Sequence, residues 1–384
     1  MIFTDVRFVL LFVLTWITFF AVPRAWRPAV LAFWGMLFYA MYAGWALAVV
    51  LVLVAFAFVS GVRSFLAWLA GLVIIGTLAY FKVAFLVPAL PGVDRDSLVV
   101  PLGLSYLAFE LLHVVIERRR GRIRELHPLD LLAFAFFAPA RIAGPIKRFP
   151  QFIGEVQGAE RSAANVYHGL LRVLLGLAKK FIVADVLALT VAESEYVSSM
   201  RHAWIIVLAY ALRIYFDFSA YSDIAIGLAR MLGIQLPENF RRPYFAANIR
   251  EFWDRWHITL SHWVRDYVFT PLGRALFKTP LRPFPFAIAA ISYLVTFLVV
   301  GAWHGITAGF LVWGLYHGVL LTLYHGIRTK MPPAVSDHPW YRSPDARVAA
   351  TAVTFFFVLV GWVPFMVPIA DAKKIVALMF GVGP

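Results

Sequence analysis

Apolar runs long enough to cross a bilayer constrain this chain more than any other feature. Phe284–Val300 and Val348–Val367 carry no charged residue, and Val6–Val22 carries only Arg7. A spanning helix needs about 20 such residues, and in lipid every backbone polar group must be satisfied within the protein. The chain is 62% hydrophobic and 15% charged, with mean hydropathy +0.78, which excludes a soluble globular domain. The expectation is an all-α polytopic membrane protein with about 10 or 11 transmembrane helices plus re-entrant or interfacial helices. One integral membrane domain occupies residues 1–384, with N-terminal spans over 6–81 and a C-terminal span over 348–367.

The net charge of +14 bears on topology rather than on nucleic acid. Arg24 and Arg27, Arg63, and Arg118–Arg124 fall on one side if the N-terminus is extracytoplasmic. Asp94 and Asp96 then fall on the other, as the positive-inside rule requires. Pro88, Pro91 and Gly92 break the chain ahead of a span at Leu98–Ile116. Val6–Val22 is followed by Pro23 without an Ala-x-Ala site, and reads as a retained span rather than a cleaved signal. The chain has no Cys, so thiolate nucleophiles and Cys-ligated metals are excluded. The His spacings suit no metal site, so the expected metal content is none.

Polar chemistry concentrates between Leu236 and Gly273. Read as one helix, Trp253, Trp256, Leu260, Trp263 and Tyr267 make a single aromatic stripe. Asp254, Ser261, Arg265 and Asp266 then lie largely off it; with Arg255 and Trp256 they are the expected supporting groups. So charged a helix suits an interfacial or re-entrant position. His257 reads equally as a catalytic group or as an interfacial imidazole beside Trp256. His304, in AWHGITAGF, closes the Phe284–Val300 run between small residues. An imidazole there can act as a general base, or be a core histidine satisfied by a hydrogen bond. His317 follows it; one helix carrying both would hold them about 20 Å apart, which assigns His317 to support. Asp217 is expected to pair with Arg213, one turn away.

The motifs in order resemble one family. PLGLSYLAFE at Pro101–Glu110, AGPIKRF at Ala143–Phe149, the run from Tyr215 to Tyr244, EFWDRWHITLSHWVRDYVFTPLG, and GAWHG followed by LVWGLYHG are similar to the bacterial membrane-bound O-acyltransferases. Both the alginate O-acetyltransferase type and the teichoic-acid D-alanyl type are resembled, over a core of about residues 101–326. Two departures stand out. Glu110 replaces the usual Gln, and PLG at Pro271–Gly273 runs into RALFKTP instead of a Gly-Gly-Asn-Arg segment.

The resemblance implies a ring of spans around a central tunnel. It makes His304 and His257 the catalytic pair, the latter at a position that other branches fill with Asn or Asp. It implies transfer of an acyl group, acetyl first, from a cytoplasmic thioester to a hydroxyl of an extracytoplasmic polysaccharide or cell-wall polymer. No bound cofactor is expected; acetyl-CoA or an acyl carrier protein is the co-substrate. A periplasmic acetyltransferase partner, membrane lipid and the bacterial cytoplasmic membrane complete the expectation. The rival readings are D-alanyl transfer to teichoic acid, and a tunnel that transports or scaffolds without catalysis.

Overall fold

A computed structural model describes residues 1–61, 63–84, 100–332 and 343–382. The expected break at Pro88, Pro91 and Gly92 and the acidic loop with Asp94 and Asp96 lie outside them. Among the described residues all regular structure is helical. Five helices among the described residues are long and apolar enough to cross a membrane: Ser64–Val83, Met200–Met231, Pro285–His304, Ala308–Lys330 and Pro344–Met366. The chain is an integral membrane protein. Other expected crossings fall on shorter apolar helices, among them Val6–Ala21 and Ala46–Val59.

The chain divides into two compact units. The first comprises Met1–Leu177 and Ala220–Pro237. It contains α1 (Val6–Ala21), α2 (Arg27–Ala43), α3 (Ala46–Val59), α4 (Ser64–Ala84), α5 (Leu104–Arg119), α6 (Pro128–Phe136) and α7 (Phe149–Gly158). Most of α8 (Ala163–Ala178) belongs to it as well. Asp5 caps α1, its carboxylate accepting from the Arg7 amide. Leu107, Leu111, Leu131 and Phe134 fill the core.

A buried charged group crosses that core. Lys147 Nζ donates to Glu110 Oε1 at 2.5 Å, and Arg141 lies 3.7 Å from the same carboxylate. Arg141 also donates to the carbonyls of Ala135 and Gly103. Isolated charges at this depth would be prohibitive; here each has a partner. Of the basic stretch after α5, Arg120 and Arg122 pair with Glu117.

The second unit comprises Ala178–Ser219 and Glu238–Pro384. A π-helical turn, Lys179–Ala184, leads into α9 (Asp185–Ala192). It aims Lys180 at Asp217, 2.7 Å away, and at Asp185. The expected Asp217–Arg213 pair is therefore replaced by Lys180. The wide π turn brings an amine from another helix closer than the next turn's guanidinium. Asp217 lies on α10 (Met200–Met231). Next come α11 (Ile249–Trp253), α12 (Ile258–Val264), a π-helical turn at Arg265–Phe269 and α13 (Thr270–Leu276). The antiparallel pair α14 (Pro285–His304) and α15 (Ala308–Lys330), then α16 (Pro344–Met366) and α17 (Ile369–Met379), complete the unit.

The α14–α15 pair owes its closeness to two glycines. A Cβ on Gly301 would collide with the Phe310 carbonyl, and one on Gly314 with that of Phe297. Small residues let membrane helices approach until backbones touch, and this contact lies one turn before His304.

Candidate active site

The expected single helix carrying the stripe from Trp253 to Tyr267 does not form. α11 ends at Trp253, and α12 starts only at Ile258. Between them His257 adopts a left-handed conformation, φ 44° and ψ 51°. Such a backbone is uncommon outside glycine, and His is among the residues enriched there. It persists because Asn239, wholly buried, organises the turn. The Asn239 carbonyl accepts from the Ile258 amide at 3.0 Å. Its side-chain Oδ1 accepts from the Thr259 amide at 3.3 Å and from Thr259 Oγ1 at 2.9 Å. Asn239 thus caps α12 from a distant part of the chain. Sequence reading missed it, because a capping residue is sought immediately before a helix.

The same Oδ1 lies 3.1 Å from His257 Nδ1. A backbone amide can only donate, so the Asn239 atom facing Thr259 is the oxygen. Nδ1 must then carry a proton, and in the neutral ring Nε2 holds the lone pair. His257 is almost fully buried. Burial, reinforced by the neighbouring His304, holds its proton affinity well below the usual imidazole range. The neutral tautomer, with its lone pair on Nε2, is the resting form.

His304 is the last residue of α14, half-buried. Gly305 closes the helix, its amide bonding to the Gly301 carbonyl at 3.1 Å. Trp313 meets the His304 ring edge-on at 5.2 Å and Phe365 at 4.9 Å. One indole touches both candidate imidazoles: Trp303 lies 4.6 Å from His304 and 6.4 Å from His257.

The remaining expected support residues separate into three groups. Trp256 is buried against Phe240, Tyr244 and Trp362, and its carbonyl accepts from Ser261 Oγ at 3.2 Å. These two residues fix the turn that carries His257. Asp254, Ser261 and Arg265 line a cavity of ≈160 Å³ with Trp253, Leu260 and Thr296. Arg255 pairs with Glu251, both half-buried, and Arg265 pairs with its neighbour Asp266 on exposed surface.

His317 is fully buried, but not on the helix that carries His304. The chain turns at Gly305, and the antiparallel α15 brings His317 back, so the 20 Å separation does not apply. Trp313 touches both rings, at 5.2 Å from His304 and 5.1 Å from His317. Trp253 packs against His317 at 5.2 Å. Among the described residues no group of three His, Asp or Glu could hold a metal ion.

Residues 93–359 match the membrane-bound O-acyltransferase family. The chain belongs to this family. It is 34% identical over 278 residues to a protein of Pseudomonas aeruginosa named "Probable alginate O-acetylase AlgI", covering 70% of this chain and 49% of that one. It is 32% identical over 286 residues to the "Teichoic acid D-alanyltransferase" of Bacillus subtilis, covering 72% and 71%. The "Peptidoglycan O-acetyltransferase" of Helicobacter pylori is 34% identical over 263 residues, 66% of this chain and 47% of the relative. The chain thus spans about half the length of the alginate-type and peptidoglycan-type proteins it matches.

Proposed function

We propose that this protein is an O-acyltransferase of the bacterial cytoplasmic membrane, with its N-terminus extracytoplasmic. It moves an acyl group, acetyl in the first instance, from a cytoplasmic thioester to a hydroxyl of an extracytoplasmic polysaccharide or cell-wall polymer. Transfer is direct or through a periplasmic acetyltransferase. The observation that carries this reading is the pair of imidazoles joined by Trp303, one of them in a fixed tautomer.

His304 takes the proton as the acceptor oxygen attacks the thioester carbonyl carbon. The C–S bond then breaks, the thiolate sulfur takes the proton back from His304, and an ester and a free thiol leave. A second imidazole beside the base could serve as a hydrogen-bond donor to the acyl donor or to the oxyanion. With Nδ1 bound to Asn239, the neutral His257 ring cannot donate from Nε2. His257 therefore accepts, and the amide N–H groups of a pantetheine arm are donors of the right kind. Arg250 and Arg265, both lining the ≈160 Å³ cavity, suit the phosphates that acetyl-CoA and carrier-protein thioesters share.

The acetyl and D-alanyl relatives match almost equally, at 34% and 32% identity. A donor comparison separates them. Purified protein in detergent is given labelled acetyl-CoA or a D-alanyl carrier-protein thioester, with His304→Ala in parallel. Turnover of one donor, lost in the variant, establishes the activity and the branch. Equal turnover by folded His304→Ala would sink the mechanism.

A further inference from the structure

Two apolar grooves flank the N-terminal half of α16. The first, ≈1040 Å³, runs between α16 and α10 with Leu208 and Phe355 among its walls. The second, ≈1000 Å³, runs between α16 and α15 past Leu323 and Val353. The two share Pro344 and Arg347. On α16 they follow the helix from Pro344 to Phe355 and beyond, about 16 Å at the helical rise. That is the depth of one leaflet, half of a hydrocarbon core about 30 Å thick.

Charge lies at the end the grooves share. Arg347 is 64% exposed and 3.6 Å from Glu251, a carboxylate already paired with Arg255. Arg242 and Arg255 line the first groove, and Arg328 lines the second. Against Glu251 and the exposed Asp345 stand four guanidiniums, so the shared mouth is net cationic. A single polar mouth above two parallel apolar grooves is complementary to one kind of molecule. We propose that an anionic diacyl phospholipid sits astride α16, its phosphate on Arg347 and one acyl chain in each groove. The phosphate competes with Glu251 for Arg347, and Glu251 lies on α11, immediately ahead of the turn that holds His257.

Native mass spectrometry of the purified protein tests this with phosphatidylglycerol, phosphatidylcholine of the same chains, and lysophosphatidylglycerol. Phosphatidylglycerol is expected to bind at least about five-fold more tightly than phosphatidylcholine, and Arg347→Gln to lose about five-fold, the effect of one basic residue near a phosphate. Ala349→Trp and Ala352→Trp each fill one groove from an exposed position. Each should weaken the diacyl lipid while leaving the lyso form nearly unchanged, and both remain informative if Arg347→Gln misfolds. Equal binding of the two diacyl lipids, or a lyso form as tight as the diacyl one, would overturn the proposal. So would displacement of phosphatidylglycerol by equimolar CoA, which would assign the grooves to the acyl donor.

Discussion

Asn239 Oδ1 stands 3.1 Å from His257 Nδ1 while also accepting from the Thr259 amide. One side-chain oxygen therefore sets the start of a helix and the tautomer of a buried imidazole. Asn239→Asp keeps the acceptor for Thr259 but adds a negative charge beside the ring. An opposite charge at this range raises an imidazole's proton affinity by about 1–3 pKa units. The acidic limb of the pH–rate profile should move upward accordingly. An unmoved profile would separate His257 from the reaction.

His304→Ala should lower kcat on the order of 10²–10⁴-fold, the usual contribution of a general base. KM for the thioester should change little, since the donor is held elsewhere. Single-turnover transfer of labelled acyl group measures both. A rise in KM at constant kcat would make His304 a binding residue.

His257 couples stability to acidity. Burial lowers its proton affinity in the folded chain, so below about pH 6.5 the unfolded chain binds the extra proton and the folded one does not. The contribution is full above that pH and falls away on acidification, by at most about 1.4 kcal/mol per pH unit for one group. Melting temperature in detergent should drop more steeply between about pH 6.5 and 5 for wild type than for His257→Gln.

Glu110→Gln restores the amide that the family resemblance leads one to expect, yet it strands two cations. Lys147 and Arg141, both almost fully buried, lose their carboxylate. Breaking such a group from one side costs about 3–5 kcal/mol. Thermal melts should show the loss, and Glu110→Gln/Lys147→Gln should recover part of it. A neutral single variant would mean the charges are reached by water.

Gly301→Leu should separate α14 from α15 and displace His304, lowering activity as severely as His304→Ala while the acid sensitivity set by His257 remains. Activity assays beside pH-dependent melts distinguish the two effects.

The helical membrane class was readable in the residues, and the family resemblance singled out His304 and His257, two rings that the structure brings to one indole, Trp303. Apolar runs dictate the first, and the AWHG and DRWHITLSHW motifs carry the second. The break at His257 was not readable. Trp253, Trp256, Leu260 and Trp263 keep helical spacing through it, and the cause lies in Asn239, far along the chain. The turn that sets His317 on a second helix was not readable either, because Gly305 breaks a run whose hydropathy continues unbroken. Asp217 was assigned the wrong cation because a π turn at Lys179–Ala184 does not show in a periodic pattern. Each miss is a long-range or irregular backbone feature winning over local periodicity.

The left-handed backbone at residue 257 also limits what evolution can place there. Valine, leucine or lysine would strain that conformation, whereas Asn, Asp and His accept it most readily. These three are the residues that the family resemblance associates with this position. The alphabet of this site is filtered by a dihedral angle before it is filtered by chemistry. A proton acceptor, a carboxylate or an amide can be exchanged there without rebuilding the turn, so one scaffold can change its donor chemistry by a single codon.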